Sequence, residues 1–141
     1  MTRVDFYILQ GEANRDLMAC RLCEKAWQRR LGVVLAAADA AHAQRLDELL
    51  WTFRDRAFVP HRLIDGPPPE APVPDIAITW PGAGRQPAEL FINLDDAVPE
   101  DWTAWPRIAE IVNETPAVRE AGRRRFAAYR AQGADLHHHK L

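Results

Sequence analysis

The run VVLAA at Val33–Ala37 is apolar throughout and is bounded by Gly32 on one side and Asp39 on the other. A strand with no polar alternation must be covered on both faces, which is the condition of an interior strand in a parallel sheet. This run therefore confines the chain to folds that stack helices against a sheet, and its neighbours agree. Val4–Leu9, VDFYIL, reads as a buried strand with Asp5 as its one charge, and Gly11–Asn14 as a turn. Arg15–Leu31 then places Leu17, Cys20, Cys23 or Glu24, Trp27 and Leu31 at helical spacing, with Gly32 as the C-terminal cap. Asp39 is positioned to N-cap a helix over Ala40–Phe53 whose inner face is Leu46, Leu49, Leu50 and Phe53. Strand, helix, strand, helix in this order is the opening of an α/β domain with right-handed crossovers.

Downstream, Asp65–Pro74 (DGPPPEAPVP) must be a loop, because its prolines donate no backbone hydrogen bonds. Asp75–Trp80 and Glu89–Leu94 read as strands around the turn PGAGRQP, and Arg107–Asn113, RIAEIVN, as a further strand. Thr115 as N-cap and Pro116 at the first helical position start a final helix that Gly133 ends. The remaining tail, with its HHHKL run, reads as frayed and solvated. The 141 residues show no internal repeat and form one domain, 1–141. No leader and no apolar run long enough to span a membrane is evident, which points to the cytoplasm.

Charge is distributed unevenly. Residues 115–141 hold six basic side chains against two acidic ones, whereas the preceding 114 hold 12 basic and 18 acidic. That asymmetry points to an anionic partner for the final helix, while the acidic remainder excludes wholesale coating of nucleic acid. On a helical wheel, Val118, Ala121, Gly122, Ala128 and Tyr129 face the sheet. Phe126, Arg119, Arg130 and Arg123 fall on the neighbouring stripe, so an aromatic ring lies among three guanidinium groups. Arg124 points outward, and Arg125 falls inside the apolar arc, where it needs a buried partner or must snorkel. A ring flanked by arginines fits a short peptide that carries carboxylates and an apolar side chain. The plainer alternative is a solvated charged face.

Other chemistries find little support. Cys20 and Cys23 form C-x-x-C in mid-helix, where no helix N-terminus lowers a thiol pKa, and they read as buried inert thiols. A zinc site would have to borrow from His137–His139. Asp95 and Asp96 follow a strand, as metal-binding carboxylates often do, but no nucleophile, base or phosphate loop accompanies them. His42 and His61 lack a Ser or Cys partner. Gly82-Ala83-Gly84 has neither the third glycine nor the helix of a dinucleotide site. No cofactor, metal or catalytic group is expected. The segment WTFRDRAFVPH, from Trp51 to His61, carries more aromatics than a loop needs and is a candidate interface.

Three stretches together, DFYIL near the start, RLDELLW followed by FVPH, and RRRFAAYRAQG near the end, resemble the chi subunit of bacterial DNA polymerase III over nearly the whole chain. The resemblance implies a three-layer α/β/α fold with a mostly parallel, Rossmann-like central sheet. It implies a non-catalytic accessory protein of the clamp loader that binds the acidic C-terminal tail of single-stranded DNA-binding protein and bridges it to the replicase through the psi subunit. DNA contact would be indirect, and the protein a monomer or a heterodimer with psi. By the same resemblance, Arg123 meets the tail's terminal carboxylate, Phe126 lies in that pocket and Arg119 is a basic neighbour. Ala127 stands where some members have lysine, which leaves Arg124 and Arg130 to complete the basic rim. Trp51 and Phe58, with Val59, Pro60 and His61, match the psi-facing patch. Rival functions are direct single-stranded nucleic-acid binding by the same arginines and a metal-dependent α/β hydrolase built on Asp95 and Asp96.

Overall fold

A computed structural model describes residues 1–55, 58–66 and 75–141, so the proline-rich loop lies outside the described residues from position 67 onward. Among the described residues the elements run β1 (Arg3–Ile8), α1 (Arg15–Gln28), β2 (Val33–Ala36), α2 (Ala40–Thr52), β3 (Arg62–Leu63), β4 (Ile76–Thr79), β5 (Leu90–Asn93), a 3-10 turn at Trp102–Ala104, β6 (Arg107–Val112), α3 (Pro116–Ala131) and β7 (Asp135–Lys140). The strands form one sheet in the order β3-β4-β2-β5-β6-β1-β7, with every pairing parallel. The sheet is open, with α1 and α2 packed on one face and α3 on the other, the three-layer arrangement expected.

Strand alternation sets the two cores. Val33, Leu35, Ile76, Ile78, Ile92 and Ile111 meet the buried stripes of α1 and α2. Val34, Phe91, Ile108, Val112, Val4 and Phe6 face the other way, against Tyr129 of α3 and the indoles of Trp102 and Trp105. α1 presents Ala19, Cys20, Cys23 and Ala26 to the sheet, and Trp27 is 36% exposed rather than core. Small residues let the helix lie close, and they leave no room beneath it for an indole. Burial pushes the Cys20 thiol up to about 12 and Cys23 well above its usual value, so both remain protonated.

Capping follows the sequence in part. Asp39 Oδ1 accepts from the His42 N–H at 2.7 Å, as an N-cap should. At α3, Thr115 makes no side-chain cap bond; Asn113 Oδ1 instead accepts the Thr115 N–H at 3.0 Å. Gly133 (φ 79°) ends α3 in the left-handed region, with Ala134 N–H bonded to Tyr129 O and Gly133 N–H to Arg130 O. α1 closes the same way, but its left-handed residue is Arg30 (φ 58°) and not Gly32. Gly32 serves the entry to β2 instead: its N–H donates to Glu89 Oε2 at 2.7 Å.

The largest departure from expectation is the C-terminal tail. Asp135–Lys140 is not frayed; it is β7, paired in register with β1 from Arg3↔Asp135 to Ile8↔Lys140. Asp5, fully buried on β1, explains part of this docking. Its carboxylate accepts from His139 Nε2 at 2.8 Å, from Arg107 Nε at 2.9 Å and from Arg3 NH2 at 3.1 Å. Burial alone would push Asp5 up, but these three donors together hold its carboxyl below the usual range.

Candidate functional site

α3 runs back antiparallel to the strands, so its first turns sit over the carboxyl ends of β6 and β1. Two crossovers leave this end in opposite directions, β1 through α1 on one face and β6 through α3 on the other. Open α/β sheets leave a crevice at such a point. Here it is a groove of about 530 Å³ bounded by α3, the ends of β1 and β6, and β7. Gly122 permits the close approach on which it depends, because a Cβ there would sit 2.5 Å from Val112 Cγ1.

The floor is apolar, made by Phe6, Ile8, Val112 and Phe126. Phe126 stands edge-on to Phe6 with centroids 5.3 Å apart, and Phe6 in turn to Tyr129 at 6.0 Å. Arg119 and Arg123 rise along α3 and Lys140 along β7, and none of the three has a carboxylate partner among the described residues. The one side-chain carboxylate in the lining, Glu114, already accepts the Gly11 N–H at 2.8 Å. An apolar trough with three uncommitted cations at its rim can hold an anionic chain that ends in, or carries, an apolar side chain.

The expected cationic stripe divides. Arg119, Arg123 and Phe126 come together on the groove; Arg124 and Arg130 do not line it. Arg124 is exposed and pairs with Glu120 one turn back at 3.2 Å. Arg130 lies in the last turn of α3, at the other end of the sheet from the crevice. Lys140 and His138 supply the opposite wall from β7. Their polar run has no apolar alternation and so carries no strand signal; only the register, with His138 beside Phe6 and Lys140 beside Ile8 on the same face, reveals it.

Beneath the groove, Arg125 finds its partner. Only 2% exposed, it donates Nε to Glu110 Oε1 at 2.9 Å and NH1 to Asp96 O at 3.2 Å. Glu110 Oε2 accepts from Tyr129 OH at 2.7 Å and from Asn93 Nδ2 at 2.9 Å. Burial raises the Glu110 pKa, with Arg125 pulling against it, and burial beside Glu110 raises that of Tyr129. This network fixes the rotation of α3 and so aims Arg119, Arg123 and Phe126. The signal for it was present: a glutamate at the centre of RIAEIVN and an arginine inside an apolar arc are a charge pair waiting to be matched.

The aromatic segment lies at the far edge, between α2 and β3. Trp51 (47% exposed) and Phe58 (66%) have ring centroids 5.7 Å apart, and Pro60 is exposed beside them. Val59 is fully buried. The His61 ring is buried too, its nitrogens 2.7 Å from Val59 O and 2.9 Å from Asp47 O, and Trp51 stands on it at 4.4 Å. Val59 and His61 therefore hold the patch from below, while Trp51, Phe58 and Pro60 present it.

The other candidates take structural places. Asp95 Oδ1 accepts the Asp96 N–H, and Asn93 Oδ1 that of Asp95, in a turn closing β5. His42 accepts the Ala38 N–H at Nδ1, which leaves Nε2 to donate to Asp16 Oδ1 at 3.0 Å. Among the described residues no three His, Cys, Asp or Glu side chains converge as metal ligands, and no helix is long and apolar enough to cross a membrane.

Comparison with known proteins follows the same lines. The family described as DNA polymerase III chi subunit, HolC, matches residues 1–137. The chain is 43% identical to DNA polymerase III subunit chi of Pseudomonas aeruginosa, over 100% of this chain and 98% of that protein. It is 30% identical to DNA polymerase III subunit chi of Escherichia coli K12, over 96% of each. The fold is also similar to that of T4 UvsW, at a TM-score of 0.68 with 6% identity, over 99% of this chain and 41% of that one.

Proposed function

Because the chain belongs to the DNA polymerase III chi subunit family, and so to a replication accessory subunit, we propose that it acts without catalysis of its own, as an adaptor inside the replisome. Its α3–β7 groove binds the acidic, phenylalanine-ended C-terminal tail of single-stranded DNA-binding protein. Its Trp51–Phe58–Pro60 patch docks the psi subunit or an equivalent clamp-loader component, and the complex works in the cytoplasm.

The observation that carries this reading is the groove itself: Arg119, Arg123 and Lys140 stand uncommitted around the ring of Phe126. A terminal phenylalanine has an apolar ring and a carboxylate on one residue, and the groove offers a wall for the first and guanidinium forks for the second. The test is calorimetric titration of an acidic peptide ending in Phe. Arg123→Ala should cost about 1.5–3 kcal/mol of binding, the range for a charged hydrogen bond, with the thermal midpoint nearly unchanged because Arg123 is exposed. Unaltered affinity would remove Arg123 from the site.

A further inference from the structure

A second groove, about 670 Å³, opens on the opposite face of the sheet, between α1 and residues of β1, β5 and β6, with Leu141 at its side. Here we infer that the protein makes direct contact with single-stranded DNA, the phosphates lying along Arg21, Lys25 and Arg29 and a base stacking on Tyr7. This goes beyond the tail-binding reading and uses none of its residues.

Arg21, Lys25 and Arg29 line this groove at positions i, i+4 and i+8, so they form one stripe with about 6 Å of helix rise between neighbours. All three are exposed, and none pairs with a carboxylate among the described residues. Arg107 faces them from the strand side, bonded to the buried Asp5. Both acidic side chains in the lining are already engaged, Glu24 by Arg54 and Glu89 by the Gly32 N–H. In a chain of net charge −2, a row of uncompensated cations on one helix is a local excess and complements a polyanion.

Aromatic chemistry separates a nucleic acid from an acidic peptide. Tyr7 lies in the groove and stacks on His139, with centroids 5.1 Å apart and planes 22° from parallel. The pair is half-buried and braced from behind by the Asp5–His139 bond, so a ring face is held ready at the foot of the cationic stripe. A basic track beside an aromatic face is how proteins hold single strands without reading sequence. A replisome subunit works where such strands are exposed.

The experiment is fluorescence anisotropy of a labelled oligo-dT of about 16 nucleotides, the upper site size of a small domain, titrated with the full chain across a salt series. Binding should weaken linearly in log–log salt. The combined variant Arg21→Ala, Lys25→Ala, Arg29→Ala should bind at least tenfold more weakly at low salt and reduce the slope by about 2, at roughly 0.7 per phosphate contact. Arg123→Ala should leave DNA binding unchanged, and the acidic peptide should not compete. Photo-crosslinking with an iodouracil-substituted strand should give an adduct on Tyr7 or His139. No wild-type binding at low salt, a triple variant indistinguishable from wild type, peptide competition, or an adduct on Phe126 would each overturn the inference. Tail-peptide affinity, measured in parallel, fails or holds independently of all four.

Discussion

At the β7 edge, the exposed side chains of the groove are long and cationic, Arg119, Arg123 and Lys140, over a floor of Phe6 and Phe126. At the β3 edge they are Trp51, Phe58 and Pro60, with no charge among them. Six strand spacings separate the two, about 29 Å at the usual interval. The rigidity of the two edges differs as much as their charge. Trp51 and Phe58 have two side-chain torsions each; Trp51 rests on the buried His61 ring, which lies within hydrogen-bond distance of the Val59 and Asp47 carbonyls, and Phe58 packs beside Trp51, so little order remains to be lost on docking. The arginines and Lys140 must each surrender several torsions, and their attraction is screened by salt. One sheet thus carries a stiff, dry face and a soft, electrostatic one, and the two partners proposed for them would be held by forces that respond to different conditions.

The largest expected effect attacks the support of the soft edge. Arg125→Met leaves Glu110 buried without its cation, which should cost about 3–5 kcal/mol of folding stability and, by freeing the rotation of α3, abolish peptide binding. With Arg125 gone only the Tyr129 and Asn93 hydrogen bonds oppose burial, so the Glu110 pKa is raised further in the folded state. The deficit against wild type should then shrink as pH falls toward the unfolded value near 4.5, and grow as pH rises through the folded one. Denaturant midpoints across pH read both. If the folded variant still captures the partner of the aromatic patch, the two edges are independent; loss of both would break the comparison.

The reciprocal change is Phe58→Ala. At 66% exposure its removal should leave the melting temperature nearly unaltered, yet weaken capture of the partner proposed for this patch by about 2 kcal/mol or more, as for a central interface aromatic. Peptide affinity should stay within error. A variant that melts far below wild type would show Phe58 to be a core residue.

A smaller effect concerns how the soft edge is seated. Asp5 is held below its usual range, so its contribution to stability is present above the unfolded value of 3.8 and is lost as pH falls through the lower folded value. Asp5→Asn should flatten that acid limb and loosen β7, seen as faster hydrogen exchange at 135–140 while amides of β3 and β4 are unaffected. Equal loosening at both edges would refute a local role.

Smallest is Arg30→Gly, which relieves a left-handed arginine at the end of α1 and should raise stability by up to about 1 kcal/mol, without touching either edge. A lowered melting temperature would mean that the Arg30 side chain, not its backbone, matters.

Much of the fold and of the groove is legible in the sequence alone. VVLAA and VDFYIL named interior strands, Asp39 and Gly133 marked real helix ends, and the wheel of α3 brought Arg119, Arg123 and Phe126 to one stripe. What escaped shares a cause. β7 is an edge strand whose sequence DLHHHK lacks apolar alternation; it exists because β1 offers a free ladder and Asp5 a buried anion, neither a local signal. Arg130 sits on the right stripe of α3 but at the wrong end of it, since a wheel records angle and not height. Trp27 departs from the expected inner face because small residues, not large ones, decide which face of α1 lies closest to the sheet.

The place of β1 in the sheet bears on how the protein is made. β1 pairs with β6 and β7, whose first partners for Arg3 are Arg107 and Asp135, more than a hundred residues later. On a ribosome moving at about 5–20 residues per second, VDFYIL emerges seconds before either neighbour exists, an apolar strand with both edges bare. Contacts of such separation make for slow folding, and an open hydrophobic strand invites pairing with other chains. Synthesis of this subunit should accordingly depend on chaperones that shelter nascent segments, and truncation anywhere before β6 should yield insoluble material rather than a shortened folded domain.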